Sequence, residues 1–219
     1  MAKVTTPDGF LEEINRYIKG ELAIKNEFFE NQFLNTVAWA WTEFHDTDLK
    51  KDTRGKYVSE YWSEKAWEKM RSILVEKGIG SSDDETLEIP FSLVSTHTEG
   101  LRAEHVITKK LFVETLRELK KSGQGVPKNF RKLLDERFFS CILTSDEAKE
   151  LDEHNKGFHA QNEDMLSDDF KCWVRYRQYN ENKEEEKRIV VYKCNLSVKE
   201  YGSSYRWLVS KDYKVDLEQ

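Results

Sequence analysis

The chain has 219 residues, enough for one large domain or two small ones with a real hydrophobic core. Charged residues make up 35% and hydrophobic residues 38%, yet 12 Phe, 9 Tyr and 6 Trp exclude a disordered chain, which would be poor in aromatics. The net charge is −6, no apolar run approaches the roughly 20 residues that span a bilayer, and the first residues lack the apolar stretch of a signal peptide. Cys141, Cys172 and Cys194 are odd in number and form no CxxC pair, which fits free thiols in a reducing compartment. These features lead to the expectation of a cytoplasmic protein with no membrane segment.

In chain order, the first 78 residues read as helical. Pro7-Asp8-Gly9 opens a helix with Phe10, Ile14, Tyr17 and Ile18 at helical spacing, and a second pattern runs through Phe29, Phe33, Val37, Trp41 and Phe44. The polar stretch from His45 to Gly55 reads as a loop. A third helix is expected to carry Val58, Tyr61, Trp62, Ala66, Met70, Ile73 and Leu74 and to stop at Gly78. Gly78 to Glu88 reads as a linker or loop, and Ile89 to Val94 as a short extended piece.

Ile107, Leu111, Phe112, Leu116 and Leu119 mark another helix, ended by Ser122-Gly123-Gln124-Gly125, and a further helix follows Pro127. Phe138 to Leu143 reads as a buried strand. Thr144-Ser145-Asp146-Glu147 has the form of a capping box. Beyond Phe170 the period changes from 3.6 to 2: Val174 and Tyr176, then Tyr192 to Val198, then Tyr205 to Val209 alternate with polar residues, which predicts an antiparallel meander. The expected fold class is α+β, with a helical region over 1–80 and an α+β region over 81–219.

Charge is uneven along the chain. From Arg102 to Arg137 there are 10 basic and 5 acidic residues, whereas the flanking regions are acidic. This segment is either an electrostatic footprint for an anionic partner or a solvated helix face. It begins at Arg102-Ala103-Glu104-His105-Val106-Ile107. An adjacent acid–histidine pair before β-branched apolar residues suits metal-assisted phosphodiester hydrolysis, in which the carboxylate holds a divalent cation and the imidazole takes a proton from water. Such neighbours point to opposite sides of a strand, so they must lie at a strand end or turn to converge. The other reading places His105 at a helix start, bonded to backbone, with Glu104 as a first-turn acid.

Glu104-His105-Val106-Ile107 resembles the Asp/Glu-His-hydrophobic segment of the His-Asn-His (ββα-metal) nuclease superfamily, and Glu104–Thr144 resembles bacterial and phage proteins carrying it. The resemblance implies Glu104 as a metal ligand, His105 as general base and Mg2+ or Mn2+ as cofactor. It further implies a central Asn and a final His or Asn, for which Asn129 or the His154-Asn155 and His159 cluster are the candidates. By residue type alone, Asp152-Glu153-His154-Asn155 with His159 is either a metal-binding group, with His154 and His159 as ligands, or an ordinary polar loop. The Cys pairs that brace many members are absent. Arg102, Lys109, Lys110, Arg175 and Arg177 are the candidates for contact with nucleic acid.

No GxSxG, GxGxxG or P-loop motif occurs. The second reading starts from the C-terminal region, where Lys171 to Arg177 and Tyr201 to Trp207 interleave aromatic and basic side chains. That composition suits a stacking surface for single-stranded nucleic acid, a protein-binding face or an ordinary solvated sheet. The sequence thus leads to a metal-dependent nuclease acting in conflict between phage and host. The alternative is a non-catalytic inhibitor or adaptor that binds a protein partner through an aromatic-rich surface.

Overall fold

The computed structural model describes residues 7–43, 59–90, 93, 100–154, 164–201 and 204–218. Their elements in chain order are α1 (Pro7–Ile18), α2 (Glu27–Glu43), β1 (Tyr61–Ser63), α3 (Glu64–Glu76), β2 (Thr86–Pro90) and β3 (Leu101–His105). They continue with α4 (Lys109–Ser122), α5 (Phe130–Arg137), β4 (Ser140–Thr144), α6 (Ser145–His154), α7 (Val174–Glu181), a 3-10 turn (Glu185–Lys187), β5 (Val191–Tyr201) and β6 (Ser204–Lys214). The fold is α+β, and no helix among the described residues is long and apolar enough to cross a membrane.

The chain forms two compact units that do not follow a division at residue 80. One comprises Met1–Thr47, His105–Phe139 and Gly157–Cys172; the other comprises Asp48–Glu104, Ser140–Lys156 and Trp173–Gln219. The first unit is helical. The expected stripe on α1 (Phe10, Ile14, Tyr17, Ile18) is buried, as are Phe33, Leu34, Val37 and Trp41 on α2 and Phe112 and Leu116 on α4. Phe112 stacks on Phe138 with ring centroids 4.3 Å apart. Thr108 caps α4 by accepting from the Leu111 N–H, and Gly123 ends it in the left-handed conformation (φ 64°) that only glycine adopts freely.

One ionic hub joins three helices of this unit. The Tyr17 hydroxyl donates to Glu30 Oε1 at 2.9 Å, Lys120 Nζ donates to the same oxygen at 2.8 Å, and Arg117 Nε lies 3.8 Å from Oε2. The Lys120 bond, ahead of the bond from Tyr17, holds the Glu30 carboxyl below the usual carboxylate range. Burial, reinforced by Glu30, pushes the Tyr17 phenol up.

The second unit is built on a six-stranded sheet in the order β2-β6-β5-β1-β4-β3. β1 pairs parallel with β4 and antiparallel with β5, while β6 pairs antiparallel with β5 and β2. The alternation expected over 192–198 and 205–209 is therefore the β5–β6 hairpin. Trp62, Trp67, Met70, Leu87, Ile142, Trp207 and Val209 share its core.

Two expected elements differ. The third helix does not include Tyr61 and Trp62, which form β1; Ser63, in extended conformation, caps the helix from Glu64 onward by accepting from the Ala66 N–H. The strand expected around Val174 and Tyr176 is instead α7, where Tyr176 and Tyr179, three residues apart, are both buried on one side of a helix. The extended piece expected at Ile89 begins earlier, at Thr86. The loop expected from His45 to Gly55 lies outside the described residues.

The parallel strands β1 and β4 each run directly into a helix, and one buried carboxylate serves both starts. Glu147 Oε2 accepts from the Ser63 hydroxyl (2.6 Å), the Thr144 N–H (2.9 Å) and the Thr144 hydroxyl (3.1 Å), while the Glu147 N–H donates back to Thr144 Oγ1 (3.2 Å). The capping box read at Thr144 is present, and Ser63, 84 residues away in sequence, is added to it.

Two stability predictions follow from these networks. Glu147→Ala removes a cap and strands two buried hydroxyl donors, so it should lower unfolding free energy by about 2–4 kcal/mol. A double-mutant cycle with Ser63→Ala should give a coupling of about 0.5–3 kcal/mol, and additive losses would show that the two helix starts are independent. In the helical unit, the folded Glu30 carboxyl is more acidic than the unfolded one. Its stabilisation is therefore complete above the unfolded range and is lost as pH falls through the folded value. Glu30→Gln should cost about 1–2 kcal/mol in urea unfolding at about pH 7, and markedly less at about pH 3. An equal cost at both pH values would contradict this account.

Candidate functional site

In β3, residues two apart share a face, so Arg102 and Glu104 point to one side of the strand. Arg102 Nη2 lies 3.7 Å from Glu104 Oε2 and 4.0 Å from Asp152 Oδ2 on α6. The other Asp152 oxygen accepts from Arg175 Nη2 of α7 at 2.9 Å. Asp152 thus bridges two guanidiniums drawn from a strand and a helix more than seventy residues apart. The cluster grades from solvent inwards: the Arg102 and Asp152 side chains are about half exposed, at 47% and 50%, whereas Glu104 retains 15% and Arg175 10%. Two acids and two bases give no net charge. The donors are all oxygen on the anionic side and all guanidinium on the cationic side, a set suited to a hard cation and to phosphate respectively.

Beneath this cluster Tyr176 and Cys141 are fully buried and their hydroxyl and thiol lie against each other. Burial, then the Glu147 charge, pushes the Cys141 thiol well up; burial, then Cys141, does the same for the Tyr176 phenol. Cys172 and Cys194 are pushed up by burial to about 11 and about 12. All three thiols are free and protonated at neutral pH, and none is poised as a thiolate nucleophile.

The structure brings Arg102, Glu104 and Arg175 together around Asp152. His105, the last residue of β3, is 9% exposed, and its ring packs tilted against Phe138 within the helical unit, centroids 5.4 Å apart. His154, two residues beyond Asp152, points to another side of α6: with Glu150, one turn away, it flanks Tyr179, which it meets edge-on while Glu150 accepts from the Tyr179 hydroxyl at 2.6 Å. Asn129 is the cap residue of α5. His159 and Asn155 lie outside the described residues. Among the described residues no three His, Cys, Asp or Glu side chains gather in metal-binding geometry.

Lys109 and Lys110 open α4, and Lys110 pairs with Glu114 at 3.9 Å. The rest of the basic segment is largely engaged: Lys120 with Glu30, Lys121 with Glu118, Arg131 with Asp8 and Lys132 with Glu136, while Arg137 donates to the Met165 and Ser167 carbonyls. Arg177 faces Glu181 and Glu218.

Of the aromatics considered for a C-terminal stacking surface, three among the described residues are buried. Trp173, Tyr176 and Trp207 are 5% exposed or less, because α7 and β6 turn those rings into the core. Among the described residues the exposed aromatics are Phe28 and Phe29 at the start of α2, 63% and 49% exposed, and Tyr213. Asp152 belongs to the tract that residue type alone offers as a metal-binding group or a polar loop, and nothing local marks it as the partner of Arg102 and Arg175.

No protein-family model matches the chain, and no curated protein or solved structure is significantly similar to it.

Proposed function

We propose that the chain is a metal-dependent nuclease-like protein acting on nucleic acid, centred on Arg102, Glu104, Asp152 and Arg175. The observation that carries this reading is the convergence of those four side chains on one partly exposed spot. Three of them follow from sequence as metal- or phosphate-directed groups. Glu104 and Asp152 would hold Mg2+ or Mn2+, which is commonly bound by one or two carboxylates completed by water and substrate phosphate. The bound cation would neutralise charge developing on the scissile phosphate. Arg102 and Arg175 would orient the phosphate through paired N–H donors, a geometry that guanidinium offers and ammonium does not. The family resemblance alone assigns proton transfer to His105, whose ring packs against Phe138 in the helical unit. A role in conflict between phage and host belongs to the same proposal.

A second reading, a non-catalytic inhibitor or adaptor, draws on a different feature. Phe28 and Phe29 meet edge to face, centroids 5.6 Å apart, on an exposed helix start, and exposed aromatic pairs are frequent anchors of protein interfaces.

The nuclease reading predicts cleavage of single- or double-stranded DNA or RNA only with Mg2+ or Mn2+. Glu104→Gln and Asp152→Asn should each raise the cation concentration needed. On that assignment His105→Asn should lower the rate by roughly 10²–10⁴-fold when assayed well below its melt, which the loss of the buried ring packed on Phe138 also lowers. Absence of cation-dependent cleavage of all four substrates would refute this reading. A protein partner whose binding is lost in Phe28→Ser/Phe29→Ser but kept in Asp152→Asn would then establish the second.

A further inference from the structure

The end of β6, the start of β5 and the outer side of α7 enclose a cleft of about 550 Å³. That is within the size of pockets that hold small organic molecules, roughly 300–1,000 Å³. Its walls are of two kinds. The partly exposed Val190, Val215 and Leu217 supply apolar surface, and the charged wall carries the Arg177 guanidinium beside Arg188, Lys214 and the acids Glu181, Asp216 and Glu218. The rim is held in place. Asn180 clasps the Ile189 backbone in both directions, donating to its carbonyl at 2.9 Å and accepting from its N–H at 2.8 Å, and the Val215 N–H donates to the Val191 carbonyl at 2.8 Å.

The guanidinium already holds a carboxylate. Arg177 Nη1 donates to Glu218 Oε2 at 3.2 Å, and its buried Nε lies 3.5 Å from Glu181 Oε1. Glu218 sits in a turn whose N–H donates to Asp216 Oδ1 at 3.0 Å, and its side chain is 70% exposed while that of Arg177 is 30% exposed. An exposed carboxylate on a half-buried guanidinium gives little net stabilisation and exchanges readily. The Glu218 side chain offers this apolar surface only two methylenes before its carboxylate, and it is 70% exposed. A ligand with both features would satisfy both walls.

We propose that this cleft binds an organic carboxylate with an apolar body, which takes the Arg177 guanidinium in place of Glu218. The site shares no residue with the Asp152 cluster, and it stands whether or not the chain cleaves nucleic acid. Glu218 acts in it as a built-in competitor: each time it leaves, the planar guanidinium can receive a planar carboxylate through two N–H bonds.

Octanoate, titrated into the full chain and followed by amide NMR shifts and calorimetry, tests the assignment. Saturable binding is expected, with shifts confined to Arg177, residues 188–191 and residues 214–218. Glu218→Gln should tighten octanoate binding several-fold by removing the competitor. Arg177→Met should weaken it about tenfold or more, the loss expected for a charge-assisted hydrogen bond. Should Arg177→Met lower the thermal melt, Arg177→Lys keeps the charge without the fork and should still weaken binding. Octanol, with the same chain and no carboxylate, should bind at least about tenfold more weakly than octanoate. The proposal is overturned by no saturable binding to either the wild type or Glu218→Gln, by octanol binding as tightly as octanoate, or by unchanged affinity in both Arg177 variants.

Discussion

A buried carboxylate oxygen needs donors to replace the water it has lost, and Glu147 Oε2 finds three of them at the starts of two helices, while Oε1 is buried without a hydrogen bond. β1 and β4 lie side by side and parallel, so the helices that follow them begin next to each other at the same end of the sheet. Each start leaves N–H groups without partners and carries the positive end of its dipole. Ser63 and Thr144 cap them, and both hydroxyls then turn to one Glu147 oxygen. The β1–β4 pairing, the α3 start and the α6 start are thereby one cooperative device. The position of Asp152, five residues further along α6, depends on it, and so does the meeting of Asp152 with Arg102 on β3.

The arrangement also explains why charge along the chain misleads. The segment from Arg102 to Arg137 is the one basic stretch, and a linear reading makes it a surface for phosphate. In the helical unit, acids from outside the segment come to meet it: Glu30 from α2 takes Lys120 and Arg117, and Asp8 from α1 takes Arg131. Other members pair one turn apart along their own helices, as Lys110 does with Glu114 and Lys132 with Glu136. Exposed pairs of this kind contribute little to stability, but they level the local potential, and steering depends on that potential. For contact with a phosphate backbone these lysines would first have to leave their carboxylates. The guanidiniums of Arg102 and Arg175 are better placed in this respect, because the cation that the proposed reading puts on Glu104 and Asp152 would release them.

What was legible in the sequence is what repeats over several turns or several strand residues. α1, α4 and α5 carry their apolar residues at 3.6 spacing, α4 between the Thr108 cap and Gly123, and β5 and β6 alternate over enough residues to leave no ambiguity. β1 is three residues long, and its Tyr61 and Trp62 fit the stripe of the helix that follows, so only the cap at Ser63 separates them. α7 was hidden for the opposite reason. Val174 and Tyr176 alternate with Arg175 and Arg177 over too few residues to distinguish the periods, and Tyr179, which decides for the helix, lies beyond them. In the candidate site, the Glu104 and Arg102 side chains were legible through strand alternation. Their partner Asp152 was not, because no local pattern carries a contact made across fifty residues.

The neutrality of the Arg102–Glu104–Asp152–Arg175 group sets how a nuclease centre built on it would have to work. A divalent cation arriving alone must displace guanidiniums from both carboxylates and leave two positive groups without their partners, with Arg175 the more costly because only a tenth of its side chain is exposed. A phosphate arriving alone must compete with Asp152 for Arg175 and leave a carboxylate without its partner. Arriving together, each ligand takes the groups that the other sets free, and the net charge of the filled cluster stays small. In the proposed reading, cation and phosphate are therefore coupled ligands: either should bind weakly by itself, and each should raise the affinity of the other by the same factor, as linkage requires. The closed ion network is on this view the resting form of the site, in which its two kinds of charged group neutralise one another until substrate and cation are both present.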